Sequence, residues 1–267
     1  MSNDRLKKII DLTSKFIEKY RNHPSIEGIV LFGSQVVGAI DEQSDIDLLF
    51  VLSDSLLPKI EEVLRKDGWT APAVGLWYEW GILDDKTLPT TQYYTLDGKT
   101  IDCLFATVQM IRNSVDKHSP SLYHSLFQEG IIVYDREDTV AKLSKEILSS
   151  IENILENQRK KNYEAFNDLL QSLERFINQD DMASAEVISV ECYKAFLDFM
   201  FAQRKQVSRY YKPQTLKRIM LDARKYLPPE IVSQIETLLV THDLSERLKL
   251  LKKLQHLSKD NIVKGEP

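Results

Sequence analysis

The distribution of glycine and proline constrains the fold of this 267-residue chain more than any other feature. Eight of its nine glycines occur at or before residue 130, and neither glycine nor proline occurs between residues 131 and 212. Because these residues interrupt regular elements, their absence over such a stretch favours long helices, and apolar residues such as Leu143 and Ile147 recur there at helical spacing. We predict two domains, residues 1–137 and residues 138–267, the second an all-α helical bundle.

The first domain has the pattern of a mixed α/β (α+β) fold. Helices are predicted at residues 4–20 and 55–66, where apolar residues recur on one face. Hydrophobic runs or alternation predict strands at residues 28–32, 46–52, 73–80, 90–96 and 100–106. The last two strands are separated by Asp97-Gly98, a strong hairpin signal. We therefore predict a mixed sheet with flanking helices.

Polar residues and prolines mark the predicted helix ends in the second domain. Residues 178–181, Asn-Gln-Asp-Asp, end one helix and offer caps for the next, and Pro228-Pro229 begins another. Residues 243–246, Asp-Leu-Ser-Glu, resemble a capping box. Several antiparallel helices are the expected result.

Charge and hydropathy restrict the partners and the location that we expect. The net charge is −5 and the pI is about 5.7, so the chain lacks the basic footprint that a long nucleic acid requires. No apolar run is long enough for a membrane span, and the first residues do not resemble a signal peptide. Two distant cysteines, Cys103 and Cys192, suit a reducing compartment. We expect a cytoplasmic protein that does not bind a membrane.

Two carboxylates stand at the start of a predicted buried strand. Asp45 and Asp47 alternate with Ile46 and Leu48, so both carboxylates share one face of the strand. Neighbouring like charges repel unless a cation lies between them, and Mg²⁺ prefers carboxylate oxygens. The pair therefore indicates a metal site, and the alternative is a pair of exposed acids on an edge strand.

A glycine-serine turn precedes this strand. Glycine allows close approach of the backbone to a ligand, and N–H groups at a strand-to-helix turn can hold phosphate oxygens. Gly33 and Ser34 occupy such a position after the predicted strand 28–32. Neither this pair nor an Asp-x-Asp motif is specific by itself. Together, with ten intervening residues and hydrophobic strands on both sides, they are specific.

The whole stretch resembles the signature of the DNA polymerase beta-like nucleotidyltransferase superfamily. The resemblance covers Leu31-Phe32-Gly33-Ser34 and Ser44-Asp45-Ile46-Asp47-Leu48. It implies a third acidic residue on a later strand, for which residues 99–106 offer Asp102. It also implies nucleotide binding by Gly33, Ser34 and Ser44, although Ser44 could merely cap the strand.

The resemblance further implies catalysis by Asp45, Asp47 and Asp102 with two Mg²⁺ ions. Asp45 and Asp47 would hold Mg²⁺ against a nucleoside triphosphate, ATP or another NTP. Asp102 would complete a second metal site or accept the proton of the incoming hydroxyl. Two ions about 3.5–4 Å apart can stabilise both the attacking and the leaving oxygen of an in-line displacement.

The helical half resembles that of aminoglycoside and other antibiotic nucleotidyltransferases, in which a small-molecule acceptor binds between the domains. Residues 126–138 are similar to the segment that joins the domains of such enzymes, and Lys217 lies where a lysine could meet the nucleotide phosphates. A surface role for Lys217 remains open. So does the general base, for which Glu129, Glu164 and Glu191 are candidates.

Three functions compete on this evidence. The first is transfer of a nucleoside monophosphate, AMP from ATP, to a hydroxyl of a small cationic molecule such as an aminoglycoside, which would confer antibiotic resistance. The second is nucleotidyl transfer to a protein, RNA or metabolite, as in toxin neutralisation. The third is a non-catalytic nucleotide-binding module. All three carboxylates are present, which disfavours the third, and the acidic pI disfavours RNA. The acceptor and the oligomeric state stay open.

Overall fold

A computed structural model describes residues 3–18, 20–33, 36, 45–53, 90–96, 99–115, 121–207 and 216–263. The chain forms two compact units, Met1–Ile151 and Glu152–Pro267. The predicted helix at residues 55–66 and the predicted strand at residues 73–80 lie outside the described residues.

The first unit contains a five-stranded mixed sheet flanked by helices. Its strands are β1 (Ile26–Phe32), β2 (Ile46–Leu52), β3 (Thr90–Leu96), β4 (Lys99–Thr107) and β5 (Ile131–Asp135), and the order in the sheet is β3-β4-β2-β1-β5. The pair β2–β4 is parallel, and the other neighbouring pairs are antiparallel. The predicted α/β fold class is thereby confirmed, and four of these strands match predicted ones.

The described helices of the first unit are α1 (Asn3–Glu18), α2 (Val108–Ser114), α3 (Leu122–Glu129) and α4 (Thr139–Leu148). They cover the two faces of the sheet. Phe16 and Ile17 of α1 pack on one face, against Phe50 and Phe105. On the opposite face, α2, α3 and α4 contribute buried residues that pack with Val30, Leu49 and Leu104. Because side chains alternate along a strand, β1, β2 and β4 each supply buried residues to both cores.

The second unit is helical. Its described helices are α5 (Ile151–Asn178), α6 (Met182–Gln203), α7 (Leu216–Tyr226), α8 (Pro229–Val240) and α9 (Leu244–Val263). One core joins them, centred on aromatic residues such as Phe166, Phe196 and Phe199, which are fully buried. The predicted helical C-terminal region is confirmed. Of the described helices, none combines the length and the apolar character that crossing a bilayer requires.

The helix ends follow the signals in the sequence. Asp181 caps α6 by accepting a hydrogen bond from the Ser184 N–H at 3.1 Å, and Asp243 accepts one from the Glu246 N–H at 2.7 Å. Pro229 begins α8, where a missing N–H costs nothing. These contacts confirm the ends predicted at residues 178–181, 228–229 and 243.

Two features differ from the sequence expectations. Residues 131–135 form strand β5, paired antiparallel with β1, whereas the sequence indicated only a connecting segment there. The compact units divide after Ile151, so α4 lies with the sheet unit, and its Val140, Leu143 and Ile147 are buried in the sheet core. The predicted boundary after residue 137 remains a proposal about functional domains.

Candidate functional site

Two of the predicted carboxylates lie side by side in the sheet. Asp47 of β2 and Asp102 of β4 are register partners in the parallel pair. Neighbouring strands lie about 4.8 Å apart, so the two residues occupy adjacent positions on one face. Both are half-buried, whereas Ile46, Leu48, Ile101 and Cys103 on either side of them are buried. Asp45 lies just before β2 and is exposed.

The carboxylates lie on the face of the sheet that also carries Leu49 and Leu104, each two residues farther along its strand. Those leucines are covered by α2, α3 and α4, while the positions of Asp47 and Asp102 keep partial exposure. Along β2 and β4, this face of the sheet is thus buried at Leu49 and Leu104 and partly exposed two residues earlier, at Asp47 and Asp102. We call the latter two residues the acidic patch.

Gly33 lies against the Asp47 carboxylate. Its φ is +78°, a left-handed conformation that L residues other than glycine rarely adopt. A Cβ at this position would collide with Oδ2 of Asp47 and would lie 2.6 Å from its Cγ. Glycine is therefore required here for two reasons: the turn needs its backbone conformation, and any side chain would occupy the space of the Asp47 carboxylate. The predicted phosphate-binding turn is thus in direct contact with a predicted metal ligand.

The carboxylates of the site change the pKa of Cys103, the buried residue next to Asp102. Burial raises the pKa of the Cys103 thiol well above its usual value, and the charges of Asp102 and Asp47 raise it further. The thiol therefore stays protonated. A neutral thiol is a poor metal ligand, so hard oxygen atoms are the donors that the patch offers.

The donor chemistry fits a hard divalent cation that also binds its substrate. Within the ranges that the structure describes, no three His, Cys, Asp or Glu side chains are grouped closely enough to hold a metal. Mg²⁺ is commonly held by one or two carboxylates together with substrate phosphates and water. Asp47 and Asp102 supply such a partial set, and the Gly33 turn lies beside it.

The remaining predicted residues stand as follows. Ser34 and Ser44 lie outside the described residues. Lys217 lies in α7 of the second unit. Among the candidate bases, Glu129 is half-buried at the end of α3, whereas Glu164 and Glu191 are exposed on helices of the second unit.

Sequence reasoning missed Arg204, the residue that caps the C-terminus of α6. Its Nε is buried without a hydrogen-bond partner, and none of the ion pairs between described residues includes it. In the sequence, Arg204 resembles an ordinary basic residue at a helix end, so only the structure distinguishes it.

The first unit is thus a mixed sheet that places paired carboxylates beside a glycine turn. Residues 14–68 match the family described as Polymerase beta, Nucleotidyltransferase, which confirms the resemblance predicted from the motif. The matched segment includes Gly33, Asp45 and Asp47, and Asp102 lies beyond it. Comparison with curated proteins yields no match.

Two solved structures are similar to this chain. One is a nucleotidyltransferase-like protein from Exiguobacterium sibiricum 255-15, with 15% identity, a TM-score of 0.46, and a match covering 96% of this chain and 77% of that chain. The other is spectinomycin adenyltransferase AAD(9) from Enterococcus faecialis, solved with ATP and spectinomycin. It has 15% identity, a TM-score of 0.27, and a match covering 92% of this chain and 99% of that chain.

Proposed function

We propose that this protein is a Mg²⁺-dependent nucleotidyltransferase that moves AMP from ATP to a hydroxyl of a small molecule of the aminoglycoside type. The observation that carries the proposal is the register of Asp47 with Asp102 beside Gly33. Three elements that are distant in sequence meet there, and each has the chemistry that nucleotidyl transfer requires. The match of residues 14–68 to the nucleotidyltransferase family supports the same reaction class.

Each predicted site residue has a proposed role in binding the cation or the nucleotide. Asp45 and Asp47 would hold the cation, and the backbone of Gly33 and the hydroxyls of Ser34 and Ser44 would bind phosphate oxygens. Bound Mg²⁺ would neutralise charge on the α-phosphate and the departing pyrophosphate. The proposed domains are a nucleotidyltransferase domain, residues 1–137, and a helical substrate-binding domain, residues 138–267, in which Lys217 is the candidate nucleotide-binding residue.

The chemical step is an in-line displacement. The acceptor oxygen forms a bond to the α-phosphorus while the bond to the β-phosphate oxygen breaks, and pyrophosphate leaves. Asp102 holds the acceptor hydroxyl and takes its proton, or completes a second metal site. The net charge of −5 favours a cationic acceptor, such as an antibiotic of the aminoglycoside class. The proposal includes action in the cytoplasm and a role in antibiotic resistance.

The test combines product detection with matched variants. The full-length protein is incubated with Mg²⁺, each of the four common NTPs and a panel containing spectinomycin, streptomycin and kanamycin, and mass spectrometry detects acceptors heavier by one nucleoside monophosphate. Asp45→Asn and Asp47→Asn should lower pyrophosphate release by about 100-fold or more, because the charge that holds the cation is halved. Asp11→Asn, the same change on the exposed face of α1, is the control.

Full activity in Asp47→Asn would show that the carboxylate pair is not the reaction centre. Adducts on a protein or metabolite but not on the antibiotics would identify a different acceptor class. Tight ATP binding without any product, in wild type and variants alike, would identify a nucleotide-binding module.

A further inference from the structure

Helix α6 has apolar residues on two opposite faces. One face carries Ala185, Cys192 and Phe196, which are fully buried in the core of the helical unit. Residues two positions earlier in the chain lie about 200° round the helix, on the opposite side. That side presents a second row of residues, spaced four, three and four positions apart: Ala183, Val187, Val190 and Lys194. We call these four residues the α6 stripe.

The α6 stripe is exposed. Val187 is 64% exposed and Val190 is 54% exposed, and Ala183 and Lys194 are exposed as well. Single apolar residues scattered over a surface need no explanation, but two valines one helical turn apart form a patch. A helix with apolar residues all round is typically covered on every side. The stripe therefore has the character of a surface that a partner covers.

The order of residues in the stripe is symmetric. Val187 and Val190 have the same midpoint in the sequence as Ala183 and Lys194, between residues 188 and 189. A two-fold axis through that midpoint would place a second α6 antiparallel to the first. Each Val187 would then lie level with Val190 of the second copy, and each Lys194 level with Ala183 of the second copy. Closed dimers of this kind use the same surface on both subunits.

The charges of the helix match in that arrangement. The N-terminal end of α6 carries three exposed acids, Asp180, Asp181 and Glu186, and the stripe ends in the exposed Lys194. Antiparallel pairing brings the lysine of one copy to the acidic end of the other. Ala183, with which Lys194 would lie level, is three residues from Glu186, or about 4.5 Å along the helix axis. The four-carbon stem of a lysine is long enough to reach that carboxylate.

Like charges stay apart in the same arrangement. Glu186 and Glu191 lie about 140° apart round the helix, so they occupy opposite flanks of the stripe. A two-fold axis places each flank against the same flank of the second copy, so Glu186 does not meet Glu191. Glu186 is also held by Arg247 of α9, whose Nη1 lies 2.6 Å from its Oε1. Its carboxylate is thus ordered before association, which lowers the entropy cost of an ion pair between copies.

We propose that the α6 stripe is a self-association surface, at which two copies of the protein pair their α6 helices antiparallel about a two-fold axis. Val187 and Val190 form the apolar centre of this interface. Lys194 pairs with Glu186 of the second copy at both ends. The shared midpoint and the matching charges favour a second copy over an unrelated partner. The inference uses the helical unit alone and is independent of the reaction proposed above.

Sedimentation velocity of the full-length protein, from about 1 µM to about 100 µM, measures the association. The wild type should shift from monomer toward dimer as the concentration rises. Val187→Glu and Val190→Glu should each raise the dissociation constant of the dimer at least about tenfold, because a carboxylate would lose its water in the apolar centre. Both valines are exposed in the single chain, so far-UV circular dichroism should not change.

A charge exchange tests the pairing itself. Lys194→Glu and Glu186→Lys should each weaken self-association, because each places like charges at both ends of the interface. An equimolar mixture of the two variants has opposite charges at both ends, so it should dimerise at concentrations where either variant alone is monomeric. Glu186→Lys also loses its contact with Arg247, but mixing cannot restore that contact, so recovery reports the pair between copies. Lys161→Glu, the same charge change on the exposed surface of α5, is the control and should associate like the wild type.

The outcomes separate the parts of the proposal. A dimer that the valine variants weaken and that the mixture restores supports it. A wild type that stays monomeric at about 100 µM overturns it and leaves the stripe to a partner of another kind. A dimer that neither valine variant weakens also overturns it, because the interface then lies elsewhere on the chain. A dimer that the valine variants weaken but the mixture does not restore overturns the antiparallel pairing.

Discussion

Replacing Gly33 by alanine should separate the two reasons for a glycine at this turn. The left-handed φ of +78° costs an alanine about 1–2 kcal/mol. In addition, the new Cβ would lie 2.6 Å from Cγ of Asp47, whereas carbon atoms make favourable contact at about 3.5–4.0 Å. The Asp47 carboxylate must therefore retreat by about 1 Å. A misplacement of about 1 Å in a reacting centre can cost on the order of 100-fold in rate.

Two measurements test this reasoning. Urea unfolding should show a loss of about 1–2 kcal/mol in the free energy of unfolding, and pyrophosphate release should fall by about 100-fold. Gly130→Ala is the control, because a Cβ there would crowd Cγ1 of Val30 at 2.7 Å and the Leu126 carbonyl at 2.5 Å but neither carboxylate. It should lose stability and keep most of its turnover per folded molecule. Unchanged turnover in Gly33→Ala would refute the argument that the turn positions Asp47.

Three further predictions concern stability and pH. Tyr123 is fully buried, and its hydroxyl has no hydrogen-bond partner among the described residues. Tyr123→Phe should therefore raise the free energy of unfolding by about 1 kcal/mol or more, seen as a higher melting temperature; a lower one would reveal a partner. Asp180 has a φ of +59°, so Asp180→Gly should raise the free energy of unfolding of the helical unit. Asp181→Ala removes a helix cap and should lower that free energy by about 1 kcal/mol. Urea unfolding measures both changes. The hydrogen bond from Arg159 lowers the pKa of Glu156 to about 2, so the small stabilisation is present above the usual carboxyl pKa and is lost as pH falls toward 2; carboxyl NMR titration should show this midpoint, and Arg159→Gln should raise it.

Local pattern was sufficient for most of the sheet. Residues 46–52 and 90–96 were predicted as strands, and both form strands with these limits, because short apolar or alternating runs bounded by polar residues have few other solutions. Strand β5, Ile131–Asp135, was missed although it is rich in β-branched residues. A short apolar run can also belong to a connecting segment, and no local pattern indicates its pairing with β1, about a hundred residues earlier in the chain.

The candidate site shows the same division between local and distant information. Strand periodicity alone predicted that Asp45 and Asp47 share a face, but Asp45 lies just before β2 and only Asp47 is in the strand. The partnership of Asp47 with Asp102 depends on the register of a parallel pair. Only the family resemblance indicated which later acid to choose. The roles of these residues, and those of Ser34, Ser44 and Lys217, remain predictions that the variants above test.

Some backbone conformations could not be predicted from residue types. Glu137, Asp138, Asp180 and Lys205 all have positive φ, where glycine or asparagine is the usual choice. At Lys205 the turn closes α6, and the side chain pairs with Glu152 at 2.8 Å. Tertiary context overrides the local preference in such turns.

The parallel pairing of β2 with β4 also determines when during folding the acidic patch comes into existence. Parallel strands need a long crossover, and here the chain from residue 47 to residue 102 must be arranged before the two carboxylates can meet. Interactions that form after the rate-limiting barrier slow unfolding but do not speed folding. If this pairing forms after the barrier, a divalent ion bound by both carboxylates, as the proposed function requires, should lower the unfolding rate and leave the refolding rate unchanged, which would extend the lifetime of the native protein.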